Sequence, residues 1–233
     1  MWNPSSATVS RPRFATCEDG LDYCIKRDEN GYPARANEWI GTWLARAVGI
    51  AVAKPAVIKD IDNKTVFGSE IYGEDLNDNL SIFQSRDLSG DHIIHIWKTF
   101  AFDLFIGNDD RHINQYKIFN QNRSNRILSF DFESSLFRYW PNLPLPLLPT
   151  SNTIQNIRAI QTIYGAIDTG VTDELLARLE DIQGAAMVTE VKRLPPGWLN
   201  QRVATSFTGW FGGRRRRDRI AQIREGIRNG TCL

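Results

Sequence analysis

The stretch Gly107-Asn108-Asp109-Asp110-Arg111-His112-Ile113-Asn114-Gln115 crowds acidic, basic and amide side chains into one short segment. Two runs of strand character follow it, Tyr116-Lys117-Ile118-Phe119 and Arg126-Ile127-Leu128-Ser129-Phe130, with the turn-forming residues Asn120 to Asn125 between them. The first and last residues of an antiparallel hairpin lie side by side, so this pairing brings Gln115 close to Asp131 and makes Asp110 and Asp131 converge. A loop carboxylate, an amide carbonyl and a second carboxylate at one hairpin mouth form a hard oxygen-ligand set suited to Mg²⁺ held together with nucleotide phosphates. Phosphoryl transfer asks for little more from a protein: one carboxylate to orient the attacking hydroxyl, metal to neutralise the phosphates, and a lysine to hold the nucleotide in register.

The lysine is sought upstream. Lys26 ends the run Tyr23-Cys24-Ile25-Lys26, and Glu38, in the helix that follows, is placed to orient it, the strand-lysine and helix-glutamate arrangement that kinases use. Glu38 has a second reading, as a helix-start charge favoured by the macrodipole.

The elements that must position these groups are legible from pattern. Phe14 to Cys17 and Leu21 to Lys26 flank Asp19-Gly20, the positive-φ step of a tight hairpin. Ile40, Trp43, Leu44 and Ala47 recur at helical spacing, which predicts a helix from about Ala34 to Val48 closed by Gly49. A second hairpin joins Pro55-Ala56-Val57-Ile58 to Thr65-Val66-Phe67 and continues to Tyr72. From Gly73 the chain turns polar and then mostly helical. A helix capped by Asp91 and running to about Phe105 is apolar on nearly every side, as a buried post would be. Four prolines between Trp140 and Thr150 rule out regular helix and predict an extended loop or lid. Three apolar stripes, at Ile154 to Tyr164, Leu175 to Ile182 and Ile220 to Ile227, predict further helices. The expected architecture is α+β and two-lobed: a β-rich first lobe with one helix over 1–73, and a helical second lobe over 74–233.

Composition narrows the function. The chain has 233 residues, 28 Lys plus Arg against 27 Asp plus Glu, and 42% hydrophobic residues, the profile of an ordinary globular protein. A net charge of +1 supplies no global field to gather nucleic acid or an anionic membrane. Three cysteines without C-x-x-C spacing point to reduced thiols, and with neither a signal segment nor a membrane span in view the expected setting is the cytoplasm. Arg214 to Arg217 are expected at a solvated helix entry, while Trp2 and Trp210-Phe211 stand outside the apolar stripes as candidates for docking a partner.

Asp110-Arg111-His112 before a hairpin, Ser129-Phe130-Asp131-Phe132-Glu133 after it, Ile25-Lys26 upstream, Ala36-Asn37-Glu38-Trp39 opening a helix, and Leu194-Pro195-Pro196-Gly197-Trp198 near the end resemble the HipA-like kinases. The likeness runs from about Ser10 to Trp198, and the group is distantly similar to the phosphatidylinositol-kinase-like fold. No extra N-terminal subdomain fits ahead of Ser10, which suggests the short, kinase-only branch. The resemblance implies ATP and Mg²⁺ as cofactors, with Asp110 as catalytic base, Lys26 as nucleotide lysine, Asp131 as metal ligand, and Ser69-Glu70-Ile71-Tyr72 as the adenine-contacting hinge. His112 is a second catalytic candidate, its alternative being a packed loop residue. Ser10, in a phosphate-covering loop that lacks glycine, is a candidate phosphate contact, and Ser5, Ser6, Thr8 or Ser10 is a candidate autophosphorylation site. The implied acceptor is a Ser or Thr hydroxyl of a protein, and a cognate antitoxin or regulatory protein is the implied partner.

One departure matters. Kinase catalytic loops carry a metal-binding Asn five residues after the catalytic Asp, and here that position is Gln115, with Asn114 one residue earlier. Asp109 with Asn114 keeps the spacing; Asp110 with Gln115 keeps the Asp-Arg-His order and the following strand, and is the register adopted. Gln presents the same carbonyl on a longer arm, at a cost in side-chain entropy and placement. A small-molecule or lipid kinase, and a pseudokinase or binding module, are the alternatives.

Overall fold

The computed structural model describes residues 13–28, 31–71, 88–121 and 124–233. Ser10, Tyr72, the boundary at Gly73 and Trp2 lie outside the described residues. The first hairpin forms from β1 (Arg13–Thr16) and β2 (Asp22–Lys26), with Gly20 at φ 77° in its turn. With β3 (Pro55–Lys59) and β4 (Thr65–Glu70) it makes an antiparallel sheet of order β1-β2-β4-β3. Alternation along β2 puts Tyr23 and Ile25 on one face, where they meet Val66, Ala56 and Ile58, and Lys26 on the other. Gly68 lies opposite Ile25 and Ala56, and its missing side chain leaves room for Ile58 and Tyr23 to close over it.

The face bearing Lys26 is covered by α1 (Ala34–Ala47), whose Ala36, Ile40 and Leu44 are fully buried. Gly49, at φ 82°, ends it as expected. Helix α2 (Gly90–Ile106) is the buried post: Ile96, Phe100, Ala101, Phe102, Leu104, Phe105 and Ile106 are excluded from solvent almost completely. Its cap is Ser89 rather than Asp91; the Ser89 hydroxyl accepts the His92 amide at 3.4 Å, and His92 Nδ1 accepts the Ser89 amide at 3.2 Å. Gly107 closes it in the left-handed region at φ 69°.

After α2 come a short 3₁₀ turn (Ile113–Gln115) and the hairpin β5 (Tyr116–Gln121) and β6 (Ser124–Ser129), with Tyr116 opposite Ser129. The end of β6 is pinned to α2. Buried His95 Nε2 lies 2.8 Å from Ser129 Oγ and Thr99 Oγ1 lies 2.9 Å from it, and burial pushes the His95 pKa down to about 3, so the ring is neutral. Five helices follow: α3 (Asn152–Tyr164), α4 (Thr169–Asp181), α5 (Gly184–Lys192), α6 (Gln201–Gly212) and α7 (Arg214–Arg228). Helices α5 and α6 were not among the expected elements. In α5 only Met187 and Val191 supply buried apolar side chains, and in α6 Thr and Gly interrupt the stripe of Ala204, Phe207 and Phe211. The arginine run is not a wholly solvated entry either, because Arg216 is buried with its guanidinium 4.5 Å from the centre of the Phe211 ring. Phe211 itself is fully buried. Among the described residues no helix is long and apolar enough to cross a membrane.

One core runs through α1, Phe67 of β4, α2 and the later helices, so the sheet and the helical remainder share apolar contacts. Trp198 adds a polar tie. It is 1% exposed, donates from Nε1 to Thr65 Oγ1 at 2.9 Å, meets Trp39 edge-on at 6.2 Å and lies under the Arg35 guanidinium at 5.4 Å. Trp198→Ala is expected to cost about 3–5 kcal/mol, and Trp198→Phe, which keeps most of the ring and loses the hydrogen bond, about 1 kcal/mol more than neutral; urea denaturation measures both.

Candidate active site

The loop after α2 is built around a buried ion pair. Asp103 of α2 is fully buried and receives Arg111 twice, Nε to Oδ2 at 2.9 Å and Nη2 to Oδ1 at 3.0 Å, with Asn108 Nδ2 donating to Oδ1 at 2.8 Å. The third nitrogen of the same guanidinium, Nη1, donates to the Phe130 carbonyl and lies 3.5 Å from that of Gln115. Its plane stacks on Phe132 at 5.0 Å. Burial opposes the charge on Arg111, but Asp103 more than restores it and holds the pKa above its ordinary value. Arg111 thus joins the residue after Asp110 to the residue before Asp131, and the segments bearing the two acids meet on this clamp.

Asp131 adopts φ 65°, a left-handed conformation that Asp tolerates better than most residues. The turn aims both Asp131 and Glu133 at Lys26, whose Nζ lies 3.0 Å from Asp131 Oδ1 and 2.9 Å from Glu133 Oε2. Glu38, the expected partner, is farther away at 3.9 Å. Helix α1 fixes this arrangement from one face. Asn37 donates from Nδ2 to the Glu133 carbonyl at 2.7 Å and accepts the Phe137 amide at 2.8 Å, and Gly41, one turn on, makes room for Phe132.

Three carboxylates around one ammonium leave excess negative charge in a buried place. Burial pushes the Glu38 pKa up to about 8, with Asp131 and Glu133 adding to the rise and Lys26 and the Phe132 amide opposing it. Asp131 also suffers burial, yet Lys26 and its hydrogen bond bring the pKa below the ordinary value. Lys26 is held well above its own, because the surrounding carboxylates outweigh desolvation. The site is therefore Lys26⁺ and ionised Asp131 with a proton on Glu38 at neutral pH.

The mouth of the site is organised separately. Asp110 is half-buried, and its Oδ1 accepts Asn152 Nδ2 at 2.5 Å from the first residue of α3. Asp109 accepts the Tyr139 hydroxyl at 2.6 Å. Thr153 accepts the Arg111 amide at 2.9 Å and donates to the Asn108 carbonyl at 2.8 Å, fastening the loop to α3. Of the two amides, Gln115 reaches Asp131, through Nε2 to Oδ2 at 3.2 Å, while Asn114 is exposed. The Gln115 carbonyl accepts the half-buried His112's amide at 3.3 Å. At the end of β4, Glu70 Oε2 lies 3.7 Å from Lys54, and the Ile71 amide donates to the Asp22 carbonyl at 2.8 Å.

Glu38, Asp131 and Glu133 bring carboxylate oxygens within 4.8 Å of one another, and Glu38 Oε1 is buried with no hydrogen-bond partner among the described residues. Asp131 and Glu133 are hard oxygen donors of the kind that suit a divalent cation such as Mg²⁺, and Glu38 would join them only by releasing its proton. Sequence reasoning singled out Lys26, Glu38, Asp110, Gln115 and Asp131, and missed Glu133, Asn37, Asp103 and Asn152. For Glu133 a signal was present, an acid two residues beyond Asp131 in the same short run.

Arg111→Met is expected to cost about 3–5 kcal/mol by leaving Asp103 buried and unpaired, and Asp103→Leu in the same chain to recover much of it; urea midpoints of the two variants decide. Glu38 predicts a pH effect. Its folded pKa lies above the ordinary 4.5, so its stabilisation is full below about pH 4.5 and lost as pH rises toward 8. Glu38→Gln flattens the decline of stability from about pH 5 to 8, and equal slopes in the two proteins would contradict the protonated state.

No curated protein matches the sequence. In fold the chain is similar to the proinflammatory kinase CtkA of Helicobacter pylori, with a TM-score of 0.58 at 14% identity over 97% of this chain and 95% of that one. HipA of Shewanella oneidensis MR-1, from a toxin–antitoxin complex with HipB and operator DNA, is similar at a TM-score of 0.49 and 13% identity, over 89% of this chain and 60% of that one. Residues 1–138 match the HipA-like kinase family. With more than half of its length so matched, and with its α+β fold shared with a kinase, the chain belongs to the HipA-like kinase family.

Proposed function

We propose that the chain is an ATP- and Mg²⁺-dependent kinase that transfers the γ-phosphoryl group to a Ser or Thr hydroxyl of a protein. The observation that carries this reading is Lys26 Nζ at 3.0 Å from Asp131, residues 105 positions apart that a strand and a hairpin bring to one buried point. Lys26 supplies a fixed positive charge for the phosphates. Asp131 would hold the metal through the carboxylate that Gln115 steadies, and the bound metal would neutralise charge on the phosphates. Glu70 and Ile71 stand at the end of β4, where the adenine contact is proposed.

Asp110 is the proposed base. Asn152 occupies its Oδ1, which leaves Oδ2 to take the proton of the acceptor hydroxyl as that oxygen bonds to phosphorus and the bond to the leaving diphosphate breaks. The Asp103–Arg111 clamp holds the Asp110 and Asp131 segments in fixed relation, so positioning rather than covalent chemistry is the protein's contribution. His112 serves the site through its amide, which orients Gln115. A regulatory protein of the antitoxin kind, and a cytoplasmic setting, are the partner and place that family membership supports.

One observation favours a second reading, a pseudokinase: the Gln115 carbonyl, the group that would serve a metal, is turned to the His112 amide. Turnover separates the two. In an assay of labelled phosphate from ATP to protein, Asp110→Asn is expected to lower the rate about 10²–10⁴-fold while keeping Mg²⁺-dependent nucleotide binding, and Asp131→Asn to lose that metal dependence. No transfer by the parent protein, with nucleotide affinity indifferent to Mg²⁺, supports the pseudokinase.

A further inference from the structure

Helix α7 opens with Arg214, Arg215, Arg216 and Arg217, and no acidic residue stands in its first turn. Cations there are disfavoured by the macrodipole, so the helix itself gains nothing from them. Arg216 has a structural occupation: it donates to the carbonyls of Leu179, Glu180 and Ile182 at the end of α4. Arg214, Arg215 and Arg217 are exposed. Arg214 has only Asp218, at 3.5 Å in the open, and Arg215 and Arg217 have no hydrogen-bond or carboxylate partner among the described residues.

Two of these arginines border a groove. Three hollows, of about 300, 280 and 570 Å³, follow one another along α7. The first is lined by Trp140, Trp210, Arg214 and Arg215; the second shares Trp210, Pro141 and Arg215 with it and continues to Gln222; the third runs from Gln222 to Glu225 and Cys232. One wall is the helix and the other is the proline-rich segment from Trp140 to Pro146. From Arg214 to Glu225 the groove is about 17 Å long at the helical rise, room for roughly five residues of extended chain.

The far wall is held in place. Arg219, buried in α7, donates to the carbonyls of Leu143 and Pro144 at 3.1 and 2.8 Å and to those of Leu104 and Phe105 at 2.7 and 2.8 Å. It has no carboxylate partner among the described residues, and burial lowers its pKa to about 10. Its hydrogen bonds fasten the proline-rich wall to both α7 and α2. On the floor, Trp210 stacks on Phe207 at 5.8 Å and meets Trp140 edge-on at 5.6 Å. A groove with fixed walls loses little entropy when it is filled.

The charge along the groove selects the occupant. It is cationic at the Arg214 and Arg215 end, where Asp218 pairs with Arg214 and leaves Arg215 unopposed among the described residues, and it carries the Glu225 carboxylate farther along. A nucleic acid would lay phosphates past those carboxylates, and the chain's net charge of +1 offers no field to compensate. A polypeptide with its acidic residues gathered at one end meets no such conflict.

We propose that this groove binds an extended segment of a protein partner, with acidic side chains at Arg214 and Arg215 and apolar ones over Trp210 and along the proline-rich wall. The site is separate from the Lys26 and Asp110 groups, and the proposal stands whichever way phosphoryl transfer is decided.

The test uses the full chain and a fluorescein-labelled peptide with a run of glutamates followed by leucine and phenylalanine, read by fluorescence anisotropy. Arg214→Glu with Arg215→Glu is expected to weaken binding at least tenfold. Arg217→Glu, which changes the same charge outside the groove lining, is expected to change it less than twofold, and Trp210→Ala to weaken it at least threefold. A counterpart peptide with lysines in place of the glutamates is expected not to bind. Absence of binding by the glutamate peptide, equal loss in Arg217→Glu, or tighter binding of a single-stranded oligonucleotide with the same sensitivity to Arg214 and Arg215 would overturn the proposal.

Discussion

The buried pair of Asp103 and Arg111 is the constraint on which the site depends. Placing two charges in a fully enclosed position costs desolvation energy that their attraction only partly repays, so the pair is a poor way to gain stability. Its value is geometric. A guanidinium is a planar fork of five donors, and here the fork reaches Asp103 on α2, the carbonyl before Asp131 and the carbonyl of Gln115. No apolar replacement could hold two backbone carbonyls and a helix carboxylate at once. The loop after α2 and the mouth of the β5–β6 hairpin are thereby set as one object.

Helix α1 imposes the second constraint. Asn37, Glu38 and Gly41 stand within a single turn of it, and between them they bond the backbone at Glu133 and Phe137, face Lys26, and admit Phe132. The result concentrates Glu38, Asp131 and Glu133 on Lys26. Burial resolves the surplus of negative charge by keeping a proton on Glu38, while Lys26 keeps Asp131 ionised beside it. Environment therefore divides the labour among chemically similar carboxylates.

Much of this was legible beforehand, for identifiable reasons. The two hairpins of the sheet, α1, α2 and the β5–β6 hairpin announce themselves through turn residues and apolar spacing, which depend only on near neighbours. Antiparallel pairing then carries Gln115 to Asp131 by geometry alone. Helices α5 and α6 escaped because their apolar stripes are short or interrupted, and they hold only through packing. The arginine run does open a helix with three of its four side chains exposed, and only Arg216 departs, because composition cannot distinguish Arg216, folded over Phe211, from the exposed Arg215 beside it.

The sequence by itself determined most of the elements, α5 and α6 apart, and that a lysine, two aspartates and an amide would be carried by them, because strand, helix and turn propensities act over a few residues and hydrogen-bond registry propagates them. Only the tertiary structure decided who faces whom. Glu133 rather than Glu38 is the nearer companion of Lys26 because Asp131 turns through a left-handed conformation, and Arg111 pairs with Asp103 rather than with the acids beside it because that carboxylate is the one buried within reach. Both outcomes come from the competition between desolvation and hydrogen bonding in the packed interior, a quantity that no local stretch of sequence contains.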